Sequence, residues 1–188
     1  MHEPTGQVTR LLREVEAGSD EAKARLLDVL HDELVRIAAV QMRRQRKDHT
    51  LQPTALVNEA YLKLFRGASP SFRDRNHFMT AAARAMRSVL VDMARGRATA
   101  KRGGDRVRVS LSPETPSTGE EDHRDVLAVH EALERLERLD AAWAAVVEMR
   151  FFGGLSVEEA AASLGVSEPT VRRRWTLARS WLVRELSR

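Results

Sequence analysis

The C-terminal segment LSVEEAAASLGVSEPTVRRRWTLARSWL, residues 155–182, constrains the fold more than any other part of the chain. Ser156 followed by Glu159 is a capping-box pattern, which predicts that a helix begins there. Gly165 favours the left-handed backbone of a tight turn, and Ser167 is a typical N-cap for a second helix. The segment therefore predicts two helices joined by a glycine turn.

The second of these helices has one apolar stripe. Val171, Trp175, Ala178 and Leu182 recur at intervals of four, three and four residues. Together with the small Ala161 where the helices would cross, and with the turn glycine, this spacing is typical of a helix-turn-helix. Two helices with a glycine turn also occur in bundles that never bind DNA, so the spacing alone leaves that alternative open.

Burial of the apolar stripe fixes the direction of the three consecutive arginines. Successive helical residues differ by about 100°, so Arg172 and Arg173 point outward and Arg174 lies at the flank, suited to a phosphate. Arginine binds guanine edges or phosphates, and glutamate accepts from cytosine. We predict that this helix enters a major groove. The predicted contact residues are Ser167, Glu168, Thr170, Arg172, Arg173, Arg174, Thr176 and Arg179.

Charge is distributed unevenly along the chain. Residues 84–108 carry eight basic and two acidic side chains, residues 114–125 have a net charge of −4, and residues 166–188 have a net charge of +4. Two basic blocks on either side of an acidic segment indicate two surfaces for a polyanion. Solvated helices joined by a solubilising linker are the alternative.

Composition predicts an all-α fold of two small helical domains. Ala, Leu, Glu and Arg dominate, and runs of β-branched residues are few. A segment rich in Pro, Ser, Thr and acidic residues predicts a flexible acidic linker over residues 106–125. It would separate a first domain, residues 1–105, from a second, residues 126–188, with the helix-turn-helix at 156–183.

The first domain shows apolar side chains at helical spacing in four segments. Ser19 is predicted to cap the second helix, and Asn76 is predicted to cap the long fourth one. The inner face of the long helix is predicted to be Phe78, Ala82, Met86, Val89 and Met93.

Several classes of protein are excluded by what the sequence does not contain. The chain has no cysteine, no apolar run of membrane-spanning length and no signal-peptide pattern at its start. We therefore expect a soluble, cytoplasmic protein. The sequence has no glycine-rich phosphate loop, nucleophile motif or clustered metal ligands, and its histidines are scattered. We expect no enzyme activity, no cofactor and no metal.

With these motifs in place, the chain resembles bacterial sigma factors of the extracytoplasmic-function (ECF, group 4) class of the sigma-70 family. The resemblance covers nearly the whole chain. MRFFGGLSVEEAAASLGVSEPTVRRRW is similar to region 4.2, which reads the −35 element, and LVNEAYLKLF, residues 56–65, is similar to region 2.2, which docks on the polymerase clamp. The two predicted domains would then be sigma region 2 and sigma region 4.

The resemblance implies further site residues. The candidate polymerase contacts are Asn58, Glu59 and Lys63, and the candidate residues for the −10 region are Phe72, Arg73, Arg84, Arg87, Arg95 and Arg97. Phe72 would stack on a flipped base, Arg73 would meet phosphate, and the basic helix would hold the DNA backbone. The alternative for Asn58, Glu59 and Lys63 is that they are ordinary surface residues. The alternative for Phe72 is that it anchors the core. Ala81 and Ser88 depart from the family pattern, which usually has Trp and Asn there.

The implied function is that of an RNA polymerase sigma factor, which directs promoter recognition and DNA opening in transcription initiation. The implied partners are promoter DNA and core RNA polymerase, through the clamp of the largest subunit and the flap of the second largest. An anti-sigma factor is a further partner that the resemblance allows. The acidic linker would thread toward the RNA exit path. A stand-alone helix-turn-helix transcription regulator is the alternative function.

Overall fold

The computed structural model describes residues 4–43, 51–66, 70–103 and 118–187. These residues form eight α-helices and no strand, which confirms the all-α prediction. The helices are α1, Pro4–Glu16; α2, Asp20–Arg43; α3, Pro53–Leu64; α4, Arg75–Gly103; α5, Thr118–Leu139; α6, Ala141–Val147; α7, Val157–Leu164; and α8, Glu168–Leu186. A single π-helical stretch, Glu148–Phe152, follows α6 directly and is called the π turn below.

Helices α1 to α4 pack around an aliphatic core, as their apolar spacing predicts. Val8 and Val15 of α1, Leu26 of α2 and Leu56 of α3 are all fully buried. The hydroxyl of Ser19 accepts a hydrogen bond from the backbone N–H of Ala22, which confirms Ser19 as the cap of α2. These four helices form the N-terminal half of the molecule.

Helix α4 differs from its prediction at both ends. Its cap is Asp74, whose carboxylate accepts from the His77 N–H at 2.8 Å, so the prediction that Asn76 caps the helix is wrong. Toward the C-terminus Leu90 is buried, whereas Val89 is only partly so. The reason is that this part of α4 packs against α5 and the π turn as well as against its own half.

The acidic linker is shorter than the prediction. Helix α5 begins at Thr118, so the prediction of flexible chain is wrong for residues 118–125. The remainder of the predicted linker, residues 106–117, lies outside the described residues.

Helices α5 to α8 form the C-terminal half. Asp140 caps α6 by accepting hydrogen bonds from the N–H groups of Ala142 at 2.9 Å and Trp143 at 3.0 Å. The chain then tightens into the π turn and leaves it at Gly153, where an added Cβ would lie 2.8 Å from the carbonyl oxygen of Met149. Glycine at 153 therefore allows the chain to turn away toward α7.

The two halves pack against each other in one continuous core. The cluster of buried apolar side chains extends from Val8 in α1 to Ala178 in α8. Across the boundary, α4 contacts α5, the π turn and α7. The long helix α4 is thus shared by both halves, and this shared packing determines the surroundings of the predicted site residues.

Candidate DNA-binding surfaces

The helix-turn-helix is built as its sequence predicts. The Ser156 hydroxyl accepts from the Glu159 N–H at 3.0 Å while the Glu159 carboxylate accepts from the Ser156 N–H at 2.8 Å, which completes the capping box. Gly165 has a φ of +64°, the left-handed conformation that a glycine turn requires. Val171 and Ala178 of α8 are fully buried. The angle between α7 and α8 is therefore fixed by local contacts.

The N-terminal part of α8 presents its arginines to solvent. Arg172, Arg173 and Arg179 are exposed, and Arg174 is partly buried at the flank, in agreement with the geometric prediction. Arg172 forms an ion pair with Glu168 one turn earlier, with nitrogen and oxygen 3.0 Å apart. This exposed i, i+4 pair holds the guanidinium of Arg172 over the first turn of the helix.

The polar residues of the same face lie around these arginines. Ser167 occupies the N-cap position of α8, and its hydroxyl lies 2.9 Å from that of Thr170 instead of bonding to the backbone. The Thr176 hydroxyl donates to the carbonyl of Arg172 at 3.0 Å. Every predicted contact residue of α8 therefore lies on or beside one surface, although Thr170 is only partly exposed.

Behind this face, Trp175 is anchored to the π turn. The guanidinium of Arg150 lies 5.0 Å from the centre of the indole ring, within cation–π range, and the Phe151 ring lies 6.5 Å away. Helix α8 is thereby connected to the π turn, which also contacts α4.

In the N-terminal half, Phe72 lies in the core. Its side chain is 7% exposed and packs edge-on against Phe78, with ring centres 5.1 Å apart, and against Phe65 at 6.2 Å. The ring therefore faces the interior, which agrees with the alternative that Phe72 anchors the core. Base stacking by Phe72 stays a prediction, and it requires the ring to leave these contacts.

Arg73 and its neighbours connect the two halves. The Arg73 guanidinium donates to the carbonyl oxygen of Ser163 in α7 at 2.7 Å. Arg75 donates to both carboxylate oxygens of Glu33 at 2.5 Å and lies 3.8 Å from the carboxylate of Glu159. The segment predicted to meet phosphate is thus in contact with the helix-turn-helix.

The basic face of α4 meets a buried carboxylate. Arg87, whose side chain is 16% exposed, donates to Glu148 of the π turn, and Arg84 lies 3.7 Å from the other oxygen of the same carboxylate. Glu148 itself is only 4% exposed. The guanidinium of Arg87 also lies 5.2 Å from the ring centre of Phe152. Of these two predicted DNA-backbone contacts, Arg87 is therefore hydrogen-bonded within the chain, whereas Arg84 lies near the same carboxylate and stays exposed.

This ion pair is incompletely satisfied. The Nε and Nη1 atoms of Arg87 and the Oε2 atom of Glu148 are buried, with no hydrogen-bond partner among the described residues. Burial raises the pKa of the Glu148 carboxyl, while the positive charges of Arg87 and Arg84 counter part of that rise. Both sides of the pair would be better solvated if they were separated.

The remaining predicted residues of the −10 set lie further along α4. Arg95 is exposed. Burial, followed by the charges of Arg87 and Arg95, lowers the pKa of His130 on the facing helix α5. Arg97 belongs to α4, but its side chain lies outside the described residues. Helix α5 therefore runs along the part of α4 that was predicted to hold DNA.

The predicted polymerase contacts lie on α3. Asn58 and Glu59 are exposed, and Leu62, one turn beyond Asn58, is 61% exposed. Lys63 donates to Asp92 at 2.6 Å and to Ser88 at 2.7 Å, so it joins α3 to α4.

Glu148 was not identified as a site residue from the sequence, although a signal exists. It is the only charged residue in the stretch AAWAAVVEM, residues 141–149, where an amphipathic surface helix would carry several. A lone carboxylate in an apolar segment needs a buried cationic partner. The contact between Ser163 and Arg73 could not be predicted from the sequence, because Ser163 binds Arg73 through its backbone carbonyl, which every residue has.

No metal or membrane site is found within the parts of the chain that are described. Those residues contain no group of three or more His, Cys, Asp or Glu side chains that could hold a metal ion. None of their helices combines the length and the apolar character that a membrane span requires.

An all-α fold with a helix-turn-helix and an exposed arginine face is typical of helical DNA-binding proteins. The family model described as ECF sigma factor matches residues 5–188. The chain therefore belongs to the ECF sigma factor family, whose members are RNA polymerase sigma factors that act in transcription initiation. Core RNA polymerase and promoter DNA are the partners that this membership implies. Neither a curated protein nor a solved structure gives a match to the chain.

Proposed function

We propose that this protein binds core RNA polymerase and directs it to promoters, with α8 reading the −35 element and the region around α4 contacting the −10 region. The observation that carries the proposal is the exposed arginine face of α8, within a chain that the family model matches from residue 5 to residue 188. The protein catalyses no reaction itself, because positioning and opening the duplex require binding energy only.

Exposed apolar side chains in both halves support docking to a protein. On α3, Leu62 lies beside Asn58 and Glu59, which suits the clamp of the largest polymerase subunit. In the C-terminal half, the 2.6 Å ion pair between Arg135 and Glu185 joins α5 to the end of α8. The exposed apolar side chains near these helix ends are Leu139, 60%, Val183, 58%, and Leu186, 47%. This second surface suits the flap of the second-largest subunit.

Run-off transcription with bacterial core polymerase and a library of promoter templates tests the proposal. The wild-type protein should yield transcripts that core polymerase alone does not make. The double variant Arg172→Ala/Arg173→Ala should lose at least about 1 kcal/mol of promoter-binding free energy, because each good base contact contributes about 1–3 kcal/mol. It should still co-purify with core polymerase.

Arg10→Ala/Arg13→Ala is the matched control, because both are exposed arginines on α1, outside the predicted DNA and polymerase contacts. It should leave transcription unchanged. Failure of the wild-type protein to bind core polymerase, combined with tight binding to DNA on its own, would instead support a stand-alone regulator.

A further inference from the structure

A cleft lies between α2 and the π turn, away from the arginine face of α8. Its volume is about 340 Å³, and its apolar lining residues are Ile37 and Val40 of α2 and Phe151 and Phe152 of the π turn. An added Cβ at Gly154 would lie 3.8 Å from Cγ1 of Ile37, so the two walls come close together at that glycine. The cleft is open to solvent, so a molecule can enter it without rearrangement of the chain.

The volume of the cleft suits a small organic molecule. Ligand pockets in proteins typically have volumes of about 300–1,000 Å³. An apolar protein cavity of about 150 Å³ holds one benzene molecule. A cleft of about 340 Å³ therefore accommodates an apolar body of about two fused rings.

The walls of the cleft favour an aromatic body. The rings of Phe151 and Phe152 lie edge to face, with their centres 4.9 Å apart and their planes at 72°. Ile37 and Phe152 are 7% and 8% exposed, so packing holds both side chains in place. A flat ring can pack against these phenyl rings and against the branched side chains of α2, and the removal of both surfaces from water favours binding.

The charged residues of the cleft leave one positive charge uncompensated. Arg75 donates to both carboxylate oxygens of Glu33 at 2.5 Å, so the negative charge of Glu33 is paired. Arg36, on the next turn of α2, is exposed and forms no ion pair or hydrogen bond with the residues that the structure describes. A guanidinium binds a carboxylate through two parallel N–H groups. The cleft thus presents an anion-binding group beside an apolar wall.

We propose that this cleft binds a small aromatic carboxylate, whose ring packs between α2 and the phenyl rings of the π turn and whose carboxylate pairs with Arg36. The site shares no residue with the predicted DNA and polymerase contacts, so the inference does not depend on the proposed function. Because the walls come from both halves of the molecule, the bound carboxylate stabilises the folded chain by mass action.

Calorimetric titration of the full chain with 2-naphthoate tests the proposal. The second probe is 2-naphthamide, which has the same ring system and nearly the same shape but no charge. Wild type should bind naphthoate about fivefold more tightly than naphthamide, because an ion pair at an open cleft is stronger than one on a flat surface and weaker than a buried one. Absence of binding by both probes would overturn the proposal.

Arg36→Gln tests recognition of the carboxylate. This variant should bind naphthoate and naphthamide equally well. Arg25→Gln is the matched control, because Arg25 is an exposed arginine of the same helix about three turns earlier. It should keep the wild-type preference for naphthoate. If the two variants show the same preference as each other, Arg36 does not bind the carboxylate and the proposal is wrong.

Val40→Trp tests the position of the ring. The larger side chain fills the cleft and should weaken the binding of both probes by roughly tenfold or more, as overpacking of an occupied space does. Val29→Trp is its control, because Val29 is 38% exposed on the same helix and does not line the cleft. Undiminished binding by a folded Val40→Trp protein would place the probes elsewhere, for example on the exposed Leu139 and Val183, and would refute the proposal.

A measurement on the wild-type protein keeps the proposal testable if Val40→Trp does not fold. Nuclear Overhauser effects between the ring protons of bound 2-naphthoate and methyl groups of the chain show which side chains the ligand touches. The expected contacts are with the methyl groups of Ile37 and Val40. Contacts with other methyl groups alone would contradict the proposal.

Discussion

Two glycines at the ends of neighbouring helical segments should respond differently to the same substitutions. Gly165, between α7 and α8, has a φ of +64°, and an added Cβ there would meet nothing within 4 Å. Gly153, at the end of the π turn, has an ordinary φ of −80°, but its Cβ would lie 2.8 Å from the Met149 carbonyl oxygen. The cost at Gly165 is thus conformational, whereas the cost at Gly153 is steric.

The magnitudes follow from these two causes. Placing alanine in the left-handed region costs about 1–2 kcal/mol, and the smaller entropy of the unfolded alanine chain offsets part of this, so Gly165→Ala should lose about 1 kcal/mol. At Gly153 the backbone carbonyl that would be struck also accepts the Leu155 N–H at 3.0 Å, so it cannot move freely. Overpacking of this kind costs about 1–3 kcal/mol, and we expect Gly153→Ala to fall in the upper part of that range.

Asparagine distinguishes the two mechanisms further. It tolerates the left-handed region better than alanine does, so Gly165→Asn should be less destabilising than Gly165→Ala. At Gly153 the same residue brings a larger side chain into the clash, so Gly153→Asn should be at least as destabilising as Gly153→Ala. Alanine should therefore be more destabilising than asparagine at position 165 and no more destabilising than asparagine at position 153.

Urea unfolding followed by far-UV circular dichroism measures these free energies, with thermal unfolding as a second readout. For a chain of this size each kcal/mol corresponds to about 2–4 °C in Tm. Equal losses for the two alanine variants, or rescue by asparagine at both positions, would refute this account of the two turns.

Three further predictions concern single contacts. Ser156→Ala removes one side of the capping box of α7 and should cost about 1 kcal/mol of unfolding free energy, measured in urea. Tyr61→Phe removes the hydrogen bond from the Tyr61 hydroxyl to the Lys23 carbonyl between α3 and α2, and should cost about 1 kcal/mol by the same measurement. His130 has a pKa lowered by burial and by the charge of Arg87, so the unfolded chain binds its proton more readily than the native protein does. Wild type should therefore lose stability relative to His130→Gln as the pH falls below about 6.5, and parallel pH profiles of the two proteins would contradict this.

Local structure could be predicted from the sequence because its determinants lie within a few residues of one another. The capping box of Ser156 and Glu159, the glycine turn at Gly165 and the burial of Val171 each depend on contacts of about one helical turn or on helical periodicity. The same holds for the outward direction of Arg172. The prediction was wrong at the cap of α4, where the polar residues Asp74 and Asn76 lie two positions apart. The carboxylate of Asp74 accepts the hydrogen bond from the first turn and is the cap.

The surroundings of the −10 set could not be predicted in the same way. Helical periodicity places Arg87 away from the core of its own half, but it says nothing about what a second half will place against that face. The distance in sequence between Arg87 and Glu148 is 61 residues, beyond the reach of any local pattern.

Helix α4 shows how one helix can serve both the core of its own half and the contact with the other half. Phe78 and Met86 fill the core of the N-terminal half, while Arg87, next to Met86 in the chain, points to another side of the helix and reaches Glu148. An exposed arginine face is stable without any partner, because water solvates it. The Arg87–Glu148 contact is nevertheless accompanied by apolar packing across the same boundary, where Leu90 of α4 is buried, so the two halves share part of their core.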